Sequence, residues 1–127
     1  MSPAHGQVNG RGQATVELAL LLPVIMAIAL AVVQVGIVSF RQVQVVHAAR
    51  EVGRMVAVTG DETGVTEAAA QASALDVSRL EVLIDGPLVP GSLVTVTVRY
   101  RDPTEVPVIG SAISDVVLQA QITMRVE

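Results

Sequence analysis

The chain has 127 residues, a formal net charge of −4 and no cysteine, and 51% of its residues are hydrophobic although only 2% are aromatic. That length leaves room for one small domain plus an anchor, and apolar content carried by Ala, Val, Leu and Ile is ordinary for a membrane-anchored chain and unusual for a soluble globule. The positive charges are all Arg and lie scattered, so no basic stripe meets a nucleic acid, and the lack of cysteine excludes a disulfide framework, a thiolate metal site, a cysteine nucleophile and lipid attachment through a lipobox.

Residues 1–12 are polar and rich in Gly, Pro and Asn, with Arg11 the firm charge, and nothing in them offsets the entropy of ordering. They read as a leader or a disordered tail. From Leu18 to Phe40 the chain runs 23 residues without a charge, broken in polarity by Gln34 and Ser39. At about 1.5 Å per helical residue this run reaches roughly 35 Å, enough to cross a hydrocarbon core, and in lipid it must be helical because no water is there to satisfy its backbone. Pro23 and Gly36 interrupt its composition in a way that membrane helices tolerate.

The helix is expected to continue from Arg41 to Val58 as an amphipathic stalk. Val45, Ala48, Ala49, Val52, Met55 and Val56 form one apolar stripe, opposed by Arg41, Gln44, Arg50, Glu51 and Arg54. Thr59-Gly60-Asp61 supplies a stop, and Thr63 or Thr66 is the expected cap of a second short helix that runs to about Leu75.

The period then changes to two. Leu80, Val82 and Ile84 form one face of a strand; Val94, Val96, Val98 and Tyr100 form one face of a second, and the residues from Gly86 to Ser92 between them have hairpin-loop chemistry. Leu118, Ala120, Ile122, Met124 and Val126 mark a third strand, after a connection from Arg101 to Asp115 that holds Pro103, Pro107 and Gly110. The fold class is therefore α+β: a long N-terminal membrane-spanning helix continuing as a stalk, a short second helix, and a small antiparallel sheet of about three strands that needs the stalk as its cover. In segments, these are a leader at 1–12, a transmembrane helix at 13–40, the stalk and short helix at 41–78, and the β domain at 79–127.

Catalytic and metal-binding patterns are not found. His5 lies in the leader and His47 on the stalk, neither with a partner at metal-ligand spacing. Asp61 and Glu62 sit in a turn, and Asp85 and Asp102 stand at strand ends, where carboxylates face water. No catalytic residue, cofactor or metal site is expected, and no nucleic acid or small-molecule substrate as partner. One ionisable residue stands out. Glu17 abuts the apolar run without a basic residue at helical spacing, which is either an interfacial carboxylate favoured by the helix dipole or a functional charge at the membrane boundary.

The segment from Gly12 to Pro23, Gly-Gln-Ala-Thr-Val-Glu-Leu-Ala-Leu-Leu-Leu-Pro, resembles the N-terminus of TadE-like proteins, the minor pilins or pseudopilins of tight-adherence (Flp) type IV pilus systems. It joins a short polar leader ending in Gly to a Glu five residues later and at once to a long apolar helix. The resemblance implies cleavage by a prepilin peptidase between Gly12 and Gln13 on the cytoplasmic side, which makes Glu17 the fifth mature residue. A carboxylate beside hydrocarbon is costly unless a positive group meets it. In the family that group is the new N-terminus of a neighbouring subunit, so Glu17 is the assembly residue by resemblance. The implied partners are the peptidase, other pilins, the membrane platform proteins of the pilus machine and the lipid bilayer, with the small residues Ala27, Ala29, Ala31 and Gly36 allowing helices to approach closely.

The family orientation puts the N-terminus in the cytoplasm and the β domain outside. Charge bias points the other way, with Arg11 before the span against Arg41, Arg50 and Arg54 after it. Two other readings compete. In one, the run is a secretory signal cleaved after Ala29 or Ala31; in the other, it is an uncleaved signal anchor displaying a small binding domain. An enzyme would need a pocket with convergent polar groups, which the strand faces do not offer.

Overall fold

The computed structural model describes residues 9–103 and 115–127. The order of elements is α1 (Asn9–Thr59), α2 (Val65–Ser73), a 3₁₀ turn at Val77–Arg79, then β1 (Leu80–Asp85), β2 (Leu93–Asp102) and β3 (Val116–Arg125). The expected α+β class is the one observed. By internal contacts the chain divides into two units, Met1–Val35 and Gly36–Glu127.

A run dense in Ala, Leu, Ile and Val with almost no breaker forms α1, and Pro23 lies inside it. Proline removes one amide donor from the backbone ladder, a loss that an apolar helix tolerates where neighbours or local adjustment make it up. The helix begins before Gly12, so its first turn, from Asn9, lies within the segment expected to be unordered. His5 and the rest of residues 1–8 lie outside the described residues, as does most of the expected connection before β3.

In the second unit the sheet has the order β1-β2-β3, antiparallel throughout, with Leu80 opposite Tyr100 and Tyr100 opposite Leu118. Alternating Val and Thr builds β2, whose branched side chains suit a pleated, half-buried surface. Its inner face carries Val94, Val96 and Val98, all fully buried, and Tyr100. Against this face lies the apolar stripe of α1. Val45, Ala48, Ala49, Val52 and Val56 are at most 2% exposed, and each fully buried valine contributes about 1.5–3 kcal/mol relative to exposure.

Three contacts fix the direction of α1 over the sheet. Gln42 Nε2 donates to Gln119 O at 3.1 Å, Gly53 faces Met124 and Ile122, and the Glu127 amide donates to Ala57 O at 2.9 Å. The strand β3 and this part of α1 thus run in the same sense, and so does β1. The hairpin loop turns at Gly86, whose φ is 119° and where a Cβ would stand 2.7 Å from Leu93 O, so a side chain is excluded there.

The second helix departs from expectation at its start. Its cap position is Gly64 in the left-handed region, with no side-chain cap. Thr63, expected as a cap, instead gives both its amide (2.9 Å) and its hydroxyl (2.6 Å) to Asp61 Oδ1, and Thr66 lies inside the helix. Asp61 competes for the donors that a threonine cap would have organised. From α2, Val65 and Ala69 join the main core.

A Cβ at Gly53 would sit 3.0 Å from Met124 Sδ and Cε and 3.2 Å from Ile122 Cγ2. Gly53→Ala is accommodated by movement of the flexible methionine tip, whereas Gly53→Leu forces helix and sheet apart and lowers stability by about 1–3 kcal/mol. Chemical denaturation of the two variants in detergent reads the difference.

Candidate functional site: the apolar helix and the charges that flank it

Every residue from Gly10 to Ala29 is exposed, including Leu18, Leu20, Leu21, Leu22, Val24, Ile25 and Ile28. The helix is apolar on all sides here and the described residues cover none of it. Its most apolar window has a mean hydropathy of 2.7, no buried residue and the length to cross a membrane. Water is a poor solvent for such a surface, and hydrocarbon or other helices are good ones.

At the start of this stretch the Gly12–Gln13 peptide lies in the first turns of α1, and nothing stands within 4 Å of the Gly12 Cβ position. The Thr15 hydroxyl donates back to Arg11 O at 3.0 Å, four residues earlier. Glu17 follows on the same helix, exposed, with no ion pair among the described residues. It lies four residues beyond Gln13, about 6 Å along the axis.

The four small residues do not form one stripe. At about 100° per residue, Ala27 and Ala31 share one side, while Ala29 and Gly36 lie nearly opposite. Ala31 also opens a shallow depression of about 310 Å³ among Ile28, Val32 and Val35. Gln34 adds a polar atom that the small-residue pattern does not suggest: its Oε1 is buried and accepts no hydrogen bond among the described residues.

At the other end of the run, in the second unit, Phe40 is exposed and Arg41 is the first charge. Arg41 Nη1 donates to Asp102 Oδ1 in an ion pair between α1 and the end of β2. Asp102 is 1% exposed and the Arg41 side chain 19%. This overturns two expectations. Asp102 does not face water, because it continues the inward parity of Val94, Val96, Val98 and Tyr100, and Arg41 leaves the polar side of the stalk to meet it. The signal was in the sequence as a carboxylate on an apolar strand face with an arginine beside the matching end of the stalk. Asp102 Oδ2 is also buried and has no partner among the described residues.

The remaining polar residues are of ordinary surface kind. Arg54 Nη2 donates to Glu51 Oε1 at 2.6 Å, holding the Glu51 carboxyl below its usual range, yet the pair is solvent-exposed and contributes little to stability. The hydroxyl and amide of Thr63 depress Asp61, and those of Ser78 depress Asp76. His47 is exposed on α1, and the described residues contain no group of three or more His, Cys, Asp or Glu placed to hold a metal ion.

A single all-apolar helix, flanked by Glu17 before it and by an inward-tied Arg41 after it, and leading into a small α+β unit, has the make-up of a single-pass membrane anchor. Residues 12–54 match the family model of TadE-like proteins. The match starts at Gly12, takes in the whole apolar run and most of the stripe that covers the sheet, and ends before α2. No curated protein and no solved structure matches the chain.

Two expectations follow for the charged groups. Removing the Arg41 guanidinium leaves the buried Asp102 carboxylate without its ion-pair partner and costs about 3–5 kcal/mol, whereas the double variant Arg41→Met/Asp102→Leu recovers much of the loss. A double-mutant cycle by denaturation measures this coupling. Asp61 and Asp76 have folded pKa values below their unfolded ones, so their hydrogen bonds stabilise the fold above the usual carboxylate range near about 3.9 and are lost as pH falls through the lower folded values. A carboxyl NMR titration is expected to place both midpoints below that value.

Proposed function

We propose that the chain is a TadE-like minor pilin or pseudopilin, a membrane-anchored structural subunit or assembly factor of a tight-adherence (Flp) pilus, and that it carries no chemistry of its own. The observation that carries this reading is the family match, which begins at Gly12 and runs through the whole apolar helix. A prepilin peptidase cuts between Gly12 and Gln13, on the cytoplasmic side. The new α-amino group at Gln13 then lies about one helical turn from Glu17. Across subunits, such an amine is the positive partner that an exposed carboxylate at the edge of hydrocarbon requires. With Ala27 and Ala31 on one side and Ala29 and Gly36 on the other, the helix can pack closely with pilin neighbours on two sides, and Gln34 can hydrogen-bond across such a contact. The peptidase, the other pilins, the platform proteins and the bilayer are its partners, and the β domain stands outside the cytoplasmic membrane.

One observation favours a second reading. The helix runs unbroken through the Gly12–Gln13 peptide, as it would in an uncleaved signal anchor displaying a small binding domain. Intact-mass and N-terminal sequencing of the chain, from cells with and without an active prepilin peptidase, separates the two. A mature chain starting at Gln13 only when the peptidase is present is expected, together with loss of assembled pili in a Glu17→Ala variant that is still cleaved and membrane-inserted. An uncut chain in both strains overturns the pilin reading in favour of the anchor.

A further inference from the structure

In the turn where α1 meets the end of the sheet, the side chains are arranged the opposite way from those of a helix lying between a core and water. Arg41 and Gln42 follow directly on the charge-free run, and the sheet holds both. Arg41 Nη1 donates to the buried Asp102 carboxylate, and Gln42 Nε2 donates to Gln119 O at 3.1 Å. Phe40 and Val43, on either side of them in the chain, are 65% and 53% exposed. An amphipathic helix on a water-soluble domain does the reverse, turning apolar residues to the core and polar ones outward.

The helical angle explains which residue lies where. At about 100° per residue, Arg41 and Gln42 flank Val45, Ala49 and Val52 on the sheet side, whereas Gly36, Phe40, Val43, His47, Arg50 and Arg54 follow one another along the opposite side. All of them belong to the second unit. A Cβ at Gly36 would meet nothing within 4 Å, and His47, Arg50 and Arg54 are exposed. Along this outer side α1 is therefore apolar through Val43, turns polar at His47 and carries its first charge at Arg50, not at Arg41. An arginine at the end of a membrane run ordinarily stretches along the helix toward the headgroups. Arg41 is drawn to Asp102 instead, which leaves the outer surface of its turn to Phe40 and Val43.

We propose that the outer side of α1 is a lipid-contacting surface that continues through Phe40 and Val43, so that hydrocarbon gives way to water between Val43 and His47. Acyl chains are its occupant because the surface extends the charge-free run without a break: Phe40 is the last residue of that run, and Val43 lies on the same side, about 4.5 Å further along the axis. The boundary read from the first charge in the sequence is thus too early on this side. The Arg41–Asp102 and Gln42–Gln119 contacts make the extension possible, since they satisfy on the sheet side the polar groups that hydrocarbon would not. The inference rests on the single-span reading, needs no leader cleavage, and concerns the part of α1 that lies within the second unit.

The test uses the full chain in phosphatidylcholine nanodiscs at one chain per disc, which leave both faces of the bilayer open to solvent. The chain has no cysteine, so Ile25→Cys, Phe40→Cys, Val43→Cys and Val58→Cys each carry one nitroxide label. Electron paramagnetic resonance then compares relaxation by oxygen, which concentrates in hydrocarbon, with relaxation by a water-soluble nickel chelate. The oxygen-to-nickel ratio at Phe40 and Val43 is expected to match that at Ile25 and to exceed that at Val58 several-fold. A ratio at Val43 as low as that at Val58 overturns the inference, and leaves the span standing if Ile25 stays lipid-like. Weak relaxation by both reagents at Phe40 and Val43 also overturns it, in favour of cover by a second protein chain. A water-like ratio at Ile25 overturns the span and the inference together.

Discussion

Burial of the α1 stripe against the inner face of the sheet is the contact on which the second unit depends. Three strands with one oily face have no stability of their own in water, and a helix with one oily stripe gains little until that stripe is covered. Val45, Ala48, Ala49, Val52 and Val56 meet Val94, Val96 and Val98 with residues small enough for a close approach, and Gly53 lets Met124 and Ile122 lie almost on the helix backbone. The absence of Trp, and of more than one Phe and one Tyr, follows from the same economy: a thin core of valine and alanine needs a near backbone more than it needs bulk.

The composition of α1 changes along its length. From Leu18 to Phe40 it carries no charge and only Gln34 and Ser39 break the apolar run in polarity; from Arg41 onward it is apolar on one side. The Arg41–Asp102 pair sits at that change. A buried ion pair is weak evidence for stability, because desolvation cancels much of the attraction, but mispairing leaves a stranded charge, so it specifies one register of strand end against helix. The pair pins the end of β2 to the first charged turn after the apolar run, a position that apolar packing alone would leave free to slide.

Much of this was legible in the chain because period and composition are local properties. The charge-free run, the three-and-four spacing of the stripe and the alternation in the strands each specify an element without knowledge of the others, and the strand ends fall within two residues of the expected ones. What escaped depends on partners distant in sequence or on competition between neighbours. Asp102 looked like an ordinary strand end because its arginine is 61 residues away. Thr63 looked like a cap because nothing in its own type reveals that Asp61 takes its donors. The division of Ala27, Ala29, Ala31 and Gly36 between two sides needed only the helical angle. The roles attached to Gly12, Gln13 and Glu17 rest on family likeness, since an exposed carboxylate on a bare helix looks the same with or without a neighbour to meet it.

The order in which the chain leaves the ribosome gives the C-terminal contacts a kinetic meaning. Gln42 waits for Gln119, 77 residues later, and the carbonyl of Ala57 for the amide of Glu127. Synthesis at about 5–20 residues per second separates such partners by roughly 4–15 s. During that interval the anchoring helix is already made, while its valine stripe has no sheet to cover it. Among the described residues the chain itself supplies no other cover for the stripe, so closing of the core waits on the last strand to be made.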